Sequence, residues 1–138
     1  MKIIFSRKGF DRTSGRAPSP IIDGVPHSLP IPTDRYPSET TYGNLDLGDA
    51  LSKVQSKYAA RCFCHEDPMF WEDRCAFGQT SAAQSHLKNN GVGEGDVFLF
   101  FGLFAEVGTG DPHHRIFGYL KVDNVQQIGS KPRGDEVE

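Results

Sequence analysis

The stretch Phe77-Gly-Gln-Thr-Ser-Ala-Ala-Gln-Ser-His-Leu-Lys-Asn-Asn-Gly-Val-Gly-Glu-Gly-Asp-Val-Phe-Leu-Phe-Phe-Gly-Leu-Phe104 decides how the rest of the chain can fold. Its first part predicts a short helix, since the hydroxyl of Thr80 can cap the first turn and Gly91 tolerates the left-handed conformation that ends one. Its last part, Val97–Phe104, has no polar side chain. Such a run predicts a central strand that is covered on both faces.

The chain length and the turn-forming residues indicate one strand-rich domain. A chain of 138 residues can bury a single core, and 15 glycines with 9 prolines indicate many turns. We expect this domain to span residues 1–128. Residues 129–138 show no apolar periodicity and end in acids, which predicts an acidic, disordered tail.

The charge balance limits the partners that the chain can have. Its 15 Lys and Arg against 18 Asp and Glu give a net charge of −3. Non-specific binding to an extended duplex needs a basic field, which this balance does not supply. No apolar run reaches the roughly 18 residues of a membrane span. The apolar start of the chain, residues 1–4, is too short for a signal peptide. The odd number of cysteines, three, is unlike a secreted disulfide framework, so we expect a cytoplasmic protein.

Two further strands are predicted from apolar runs. Lys2–Ser6 predicts a strand almost at the first residue, and Arg115–Val122 predicts a strand that returns beside the central one. Gly102 and Gly118 lie inside these apolar strands. Glycine in such a position usually marks a bulge, a sharp bend or a close approach of another backbone.

A hairpin and a second helix complete the predicted elements. Asp23-Gly24 lies between apolar pairs, which is a strong short-range hairpin signal. In residues 44–58 apolar side chains recur at helical spacing, and Asn44 or Asp46 can cap that helix.

The predicted fold class is therefore α+β, with a bent, mostly antiparallel sheet or a partly open barrel and two main helices. The core is expected to form where the two apolar strands lie side by side. Its expected members are Phe98, Leu99, Phe100, Phe101, Leu103, Ile116, Phe117, Tyr119 and Leu120.

Residues 7–19, the basic loop, concentrate positive charge. Four cations occur there with two glycines and a single acid. One interpretation is a solvated loop. The alternative is a flexible flap over an anionic ligand, because clustered cations beside glycine amides suit phosphate. The ligand-binding residues that this hypothesis assigns are Arg7, Lys8, Asp11 and Arg12.

A second set of polar residues accompanies the predicted helix at its N-terminal end. Gln79 and Gln84 carry amides that pair with base edges, and His86 can stack on a base. Thr80 marks a helix N-terminus, where backbone amides suit phosphate. The alternative is ordinary capping with a solvent-facing glutamine. The hypothesis adds these four residues to the ligand-binding set.

The segment from Cys62 to Cys75 is rich in reactive side chains. Cys62, Cys64, His65 and Cys75 could supply zinc ligands. The single residue between the first two thiols is not the usual spacing, and two buried small side chains explain them equally well. We therefore predict no metal site and no cofactor.

The same segment offers candidates for catalysis. Cys64 could act as a nucleophile with His65 or His86 and an orienting Asp67. His65, Glu66 and Asp67 could instead act as acid and base or bind a divalent metal. His65 and Asp67 could also hold the loop backbone by hydrogen bonds, which is the more common role of such residues. Whether the chain is an enzyme is left open by the sequence.

Six blocks of the sequence resemble one known family. They are Met1–Asp11, Pro18–Ile21, Cys64–Pro68, Phe77–Leu87, Gly93–Gly102 and His114–Leu120. Taken together they resemble the nucleotide modification associated domain 3 family. That family is associated with phage and bacterial systems of nucleic-acid modification, so the resemblance implies a nucleotide-related role without fixing a reaction. Members of the family continue beyond the last residue here, which implies a shortened, phage-type form.

A second resemblance concerns the fold. Gly95-Asp96 leading into an apolar strand, followed by the return strand Ile116–Val122, is similar to small PUA-like and ASCH-like barrels. Those domains bind RNA or modified bases in a cleft beside the barrel. The likeness is one of fold alone.

The function that these observations predict is binding of a nucleotide or a single modified base, linked to nucleic-acid modification or phage–host conflict. The ligand should be small and not a length of duplex, because four cations can hold only one or two phosphates. One alternative is a small hydrolase or transferase that uses His65 and Asp67. Another is a viral anti-defence protein that sequesters a nucleotide signal or blocks a host protein. Self-association is left open.

Overall fold

A computed structural model describes residues 1–33, 38–54, 56–65, 69–70, 75–76 and 91–125, with 69–70 and 75–76 described by their backbone alone. The described elements consist of short strands, one short helix and two long strands near the end. In chain order they are β1 (Ile3–Arg7), β2 (Ser19–Ile22), β3 (Val25–Pro26), α1 (Gly48–Ser52), β4 (Met69–Phe70), β5 (Cys75–Ala76), β6 (Val97–Glu106) and β7 (His113–Lys121).

Five strands form one mixed sheet around β6. β7 runs antiparallel along one side of β6, from Val97↔Lys121 to Phe104↔His113. Along the other side, β1 pairs in parallel with the first half of β6 and β2 pairs in parallel with its end. β3 adds an antiparallel edge to β2, and β4 pairs with β5 in a separate ladder. The predicted central strand is confirmed, because β6 has neighbours on both sides.

The expected mostly antiparallel sheet is wrong, since β6 pairs in parallel with both β1 and β2. An apolar strand shows the same pattern whichever way its partner runs, so the sequence did not reveal the direction. The α+β class holds. No pairing among the described strands closes the sheet into a barrel.

The basic loop leaves and rejoins the same side of β6. β1 ends opposite Phe101, and β2 begins opposite Phe104. The amide of Lys8 extends the first ladder by donating to the carbonyl of Phe101 at 2.9 Å. A Cβ at Gly102 would lie 2.8 Å from the carbonyl oxygen of Lys8. Of the three features predicted for a glycine inside a strand, Gly102 therefore shows the close approach of another backbone.

Near Gly118 a bulge is present, one of the three features predicted for a glycine inside a strand. Gly118 pairs with Phe100, whereas Phe101 pairs with Ile116, so Phe117 is the extra residue on β7. A bulge of this kind bends the strand and increases its twist. It also sets which side chains of β7 share a face with those of β6.

The Asp-Gly hairpin is confirmed in detail. Asp23 and Gly24 have φ values of 51° and 81°, and they join β2 to β3. Positive φ at both central residues is the signature of the type I′ turn, whose twist matches that of the flanking strands. β3 ends at Pro26. The amide of His27 still donates to the carbonyl of Pro20 at 2.9 Å, but Pro20 has no amide hydrogen to return.

The helix predicted over residues 44–58 is much shorter. Only Gly48–Ser52 is helical, and its N-cap is Leu47, with no capping hydrogen bond from a side chain. Asn44 instead accepts the amide of Thr41, and Asp46 has a left-handed φ of 61°. Two main helices are therefore wrong for the described residues. The helix predicted at residues 80–88 lies outside them, as does the tail at 129–138.

The buried side chains form two clusters. The larger cluster joins α1 to the basic loop and the segments around it, and consists of Phe10, Ala17, Leu29, Tyr42, Ala50, Leu51 and Cys64. The smaller cluster consists of Phe98, Phe100 and Val122, with Ile4, Val92, Phe117 and Leu120 packed against it. Phe98, Phe100 and Leu103 are confirmed as core. Ile116 and Tyr119 are 52% and 69% exposed, so their assignment to the core is wrong.

Asp96 joins the entry of β6 to the start of the chain. Its carboxylate accepts the amide of Lys2 at 2.8 Å and the amide of Gly93 at 2.9 Å. These hydrogen bonds, first that from Gly93 and then that from Lys2, hold the pKa of the Asp96 carboxyl below its usual value. Asp96 therefore aligns β1 with β6. None of the described helices is long and apolar enough to cross a membrane.

Candidate functional site

One face of the sheet presents apolar and aromatic side chains to solvent. The paired residues of β1, β6 and β7 form three rows of three on this face. The rows are Ile3, Val97 and Lys121; then Phe5, Leu99 and Tyr119; then Arg7, Phe101 and Ile116. These nine residues are called the outer face below. Alternation along a strand places the buried Phe98 and Phe100 on the opposite side.

The exposure of the outer face is uneven. The β6 side chains on this face, Val97, Leu99 and Phe101, are half-buried between their neighbours, whereas Phe5 is 62% exposed and Tyr119 is 69% exposed. The expectation that β6 is covered on both faces is therefore wrong for this face. Exposed aromatic side chains gathered on one face of a sheet make that face a candidate binding surface.

A shallow groove crosses one end of the outer face. It is lined by Phe5, Phe101, His114, Arg115 and Ile116. The ring of Phe101 makes edge-to-face contacts with Phe5, at 6.3 Å between centroids, and with His114, at 5.6 Å. The groove is thus an aromatic platform with a polar imidazole at one side. Such a surface suits a flat ligand that has polar edges.

Arg7 stands beside this groove, directly across from Phe101 in the β1–β6 ladder. Its side chain is 59% exposed, and its Nε lies 3.7 Å from Oδ2 of Asp11. An exposed pair at this distance contributes little to stability, but it restricts where the guanidinium points. A cation at the end of an aromatic groove can meet an anionic group carried by a flat ligand.

Asp11 shapes the turn of the basic loop. Its Oδ1 accepts hydrogen bonds from the amide of Ser14 at 2.6 Å and from the amide and the hydroxyl of Thr13 at 2.8 and 3.0 Å. Partial burial opposes ionisation, but these hydrogen bonds and the charge of Arg7 outweigh it and lower the pKa of the Asp11 carboxyl. Asp11 therefore stays charged and holds both the turn and Arg7.

The basic loop is anchored at its centre. Phe10 is fully buried, and its amide donates to the carbonyl of Leu29 at 2.9 Å. The backbone of Gly15 packs on the Phe10 ring so closely that a Cβ there would lie 2.5 Å from it. The structure thus describes an anchored loop where the sequence predicts a flexible one. Arg12 and Arg16 remain exposed on its surface, and Lys8 is half-buried.

The two strands that flank β6 carry cations without acids. Residues 2–8 and 113–121 contain Lys2, Arg7, Lys8, Arg115 and Lys121 but no Asp or Glu. The whole chain has a net charge of −3. Arg7 and Lys121 belong to the outer face, on a chain that is acidic overall, which favours an anionic ligand at this place.

The cysteine and histidine candidates lie elsewhere. Cys64 is fully buried in the larger cluster, Cys62 accepts the amide of Ala59 through its sulfur at 3.4 Å, and His65 is exposed. No group of three His, Cys, Asp or Glu residues in the described part of the chain could hold a metal ion. The side chain of Cys75 and the whole of Asp67 lie outside the described residues.

Gln79, Thr80, Gln84 and His86 also lie outside the described residues, so their ligand-binding role stays a prediction. The structure brings together a different set, namely Arg7 with the groove residues. Sequence reasoning placed Phe101 and Ile116 in the core and did not single out Phe5 or His114. The signal that could have found them is the alternation of Ile3, Phe5 and Arg7 along β1, which puts two apolar side chains and a cation on one face.

The fold and site define a mixed-sheet α+β domain with an exposed aromatic face bordered by cations. The chain belongs to the nucleotide modification associated domain 3 family, which matches residues 2–137, nearly the whole chain. No curated protein and no solved structure matches the chain. The family name indicates a role in nucleotide modification systems, and the likeness to PUA-like and ASCH-like domains stays a prediction.

Proposed function

We propose that this chain binds a nucleotide or a single modified base on its outer face, in the service of nucleic-acid modification. One observation carries the proposal: the aromatic groove formed by Phe5, Phe101 and His114 ends beside the exposed cation of Arg7. A nucleotide consists of the same two parts, a flat base and an anionic phosphate. Family membership supports the nucleotide class of the ligand.

Each part of the groove has a role in this proposal. The rings of Phe5 and Phe101 take the base, because stacking of a base on an aromatic side chain contributes about 1–3 kcal/mol. The imidazole of His114 lies at the edge of the platform, where it can exchange hydrogen bonds with polar atoms of the base. The guanidinium of Arg7 takes the phosphate. Arg12 on the basic loop remains a proposed second contact to it.

The ligand is a small one in this proposal. The groove is lined by five residues, and an extended duplex would need many cations on one surface. Gln79, Gln84 and His86 remain proposed readers of the base edge. They would add the selectivity that stacking lacks, since every base has a face on which it can stack.

The test is to incubate the full chain with a mixture of nucleotides and modified nucleosides, remove unbound molecules and identify what remains by mass spectrometry. We expect an unchanged nucleotide to be retained. Arg7→Ala should lower retention about 10-fold, the effect of losing one charged hydrogen bond. Arg61→Ala is the matched control, because Arg61 is exposed away from the outer face.

Other outcomes would overturn this proposal. A converted nucleotide would favour the hydrolase or transferase alternative, with His65 and Asp67 as its first candidates. No retained nucleotide, together with capture of a host protein from lysate, would favour a protein that blocks a host partner.

A further inference from the structure

We propose that the outer face binds a single-stranded nucleic acid across its whole width, so that the natural ligand of this site is two or more linked unpaired nucleotides. The inference rests on the proposed function and extends it from one base to a strand. It depends on a second aromatic side chain, Tyr119, which lies outside the groove and is 69% exposed.

The position of Tyr119 supplies a second place for a base. Phe5 pairs with Leu99, and Leu99 pairs with Tyr119, so the three residues form one row across β1, β6 and β7. Neighbouring strands lie about 4.8 Å apart, which puts the backbones of Phe5 and Tyr119 about 10 Å apart on the same face. The half-buried side chain of Leu99 separates them. Two exposed rings at this separation can take two bases of one strand.

The cations lie where the phosphates of such a strand would pass. Arg7 is in the row on one side of Phe5 and Tyr119, and Lys121 is in the row on the other side. Both residues are exposed. Arg7 lies next to Phe5 on β1 and Lys121 lies next to Tyr119 on β7, so each ring has one cation beside it, and no acid occurs in β1 or β7 to repel a phosphate.

The size of the outer face argues against a second copy of this chain as its occupant. Three strands about 4.8 Å apart and five residues of about 3.3 Å each give a surface of roughly 250 Å². A stable protein interface needs roughly 800 Å² from each partner. A short strand of nucleotides fits the smaller surface, and its charge complements the bordering cations.

The test compares binding of the full chain to a labelled 10-nucleotide strand, as DNA and as RNA, with its binding to nucleoside monophosphates. Tyr119→Ala should weaken binding of the strand about 5-fold or more, as loss of one stacked base does, and leave the monophosphate affinity unchanged. Phe63→Ala is the matched control, because Phe63 is a 40% exposed aromatic side chain outside the outer face. It should change neither affinity. DNA and RNA should bind similarly, since rings and cations contact bases and phosphates.

A salt titration tests the role of Lys121 separately. The slope of log affinity against log salt should become less negative by about 0.7 in Lys121→Ala, the value for one phosphate contact to a single strand. Lys53→Ala, a change at an exposed lysine near α1, should leave the slope as it is. Equal affinity of the parent and of Tyr119→Ala for the nucleotide strand would overturn the inference. Self-association of the chain through the outer face would overturn it as well. If the parent protein does not bind nucleoside monophosphates, that result would instead contradict the proposed function.

Discussion

The carbonyl oxygen of Lys8 lies so close to Gly102 that a Cβ added there would be 2.8 Å away. At this point the chain leaves β1 and starts the basic loop, and the amide of Lys8 still pairs with Phe101. A side chain at residue 102 would push the backbone of Lys8 outward. The geometry of the loop therefore depends on a glycine that is more than ninety residues away in sequence.

Gly102→Ala should destabilise the protein by about 1–3 kcal/mol, the usual effect of overpacking a tight site. The unfolding midpoint in urea measures this. Gly93→Ala is the matched control, because nothing lies within 4 Å of a Cβ there and its φ is not in the left-handed region. A Gly102→Ala protein as stable as Gly93→Ala would contradict the close approach described here.

Phe100→Ala and Phe5→Ala should affect stability very differently. Phe100 is fully buried on the inner side of β6, whereas Phe5 is 62% exposed on the outer face. Truncating a buried phenylalanine costs about 3–5 kcal/mol. Phe5→Ala should leave the free energy of unfolding within about 0.5 kcal/mol of the parent, as surface changes usually do. Equal melting temperatures for the two variants would refute the assignment of the two faces.

Acid should destabilise the protein partly through Asp96. The pKa of its carboxyl is lower in the folded protein than in the unfolded chain. The stability that it contributes is therefore present above the unfolded value of about 4 and is lost as the pH falls through the folded pKa.

Asp96→Asn should lower the unfolding midpoint at pH 7 and flatten its dependence on pH between about pH 5 and pH 2. The carboxylate of Asp96 accepts hydrogen bonds from two backbone amides, one on each oxygen. Asparagine has only one side-chain oxygen, so its NH2 group would face one of these amides and that hydrogen bond would be lost. Guanidinium unfolding of both proteins over this pH range is the measurement. Parallel pH profiles for parent and variant would show that Asp96 does not act in this way.

Asp11→Ala should weaken nucleotide binding without direct contact to the ligand. The change removes the acceptor for Thr13 and Ser14 and the partner of Arg7. Arg7 would then sample more orientations, and the affinity should fall about 3–5-fold, as after loss of a single neutral hydrogen bond. Asp49→Ala, at an exposed acid in α1, serves as the control. An unchanged affinity in a folded Asp11→Ala protein would show that the basic loop does not influence binding on the outer face.

Local features of the fold could be predicted from the sequence, because their causes are local. The Asp23-Gly24 turn needs two residues that tolerate positive φ, and both are adjacent in sequence. The apolar run of β6 indicated a central strand for a similar reason. The direction of its partners could not be predicted, since β1 and β6 are joined through the whole intervening chain and either direction buries the same side chains.

The helix over residues 44–58 shows a different limit of the sequence. Leu47, Ala50, Leu51, Val54 and Tyr58 do all contribute to the larger cluster. Their spacing therefore predicted burial correctly, although only Gly48–Ser52 is helical. Apolar periodicity reports which side chains turn inward, and a short turn followed by an irregular segment can satisfy it as well as a long helix.

The candidate site was only half visible in the sequence. The cations of the basic loop could be found because they lie within ten residues of one another in the chain. The groove could not, since Phe5 and Ile116 meet only when β1 and β7 pair with the same strand. An apolar residue in a strand also reads as core unless the face it lies on is known, and exposure of that face is a property of the whole fold.

Nucleotide binding on the outer face is tested most directly by an amide NMR titration of the full, isotope-labelled chain with a nucleoside monophosphate. We expect saturable shifts centred on Phe5, Arg7, Phe101 and His114, with little change around His65. The same titration of Arg7→Ala should require more ligand to reach the same shifts. Shifts confined to the segment around His65, or no shifts at millimolar ligand, would contradict binding on the outer face.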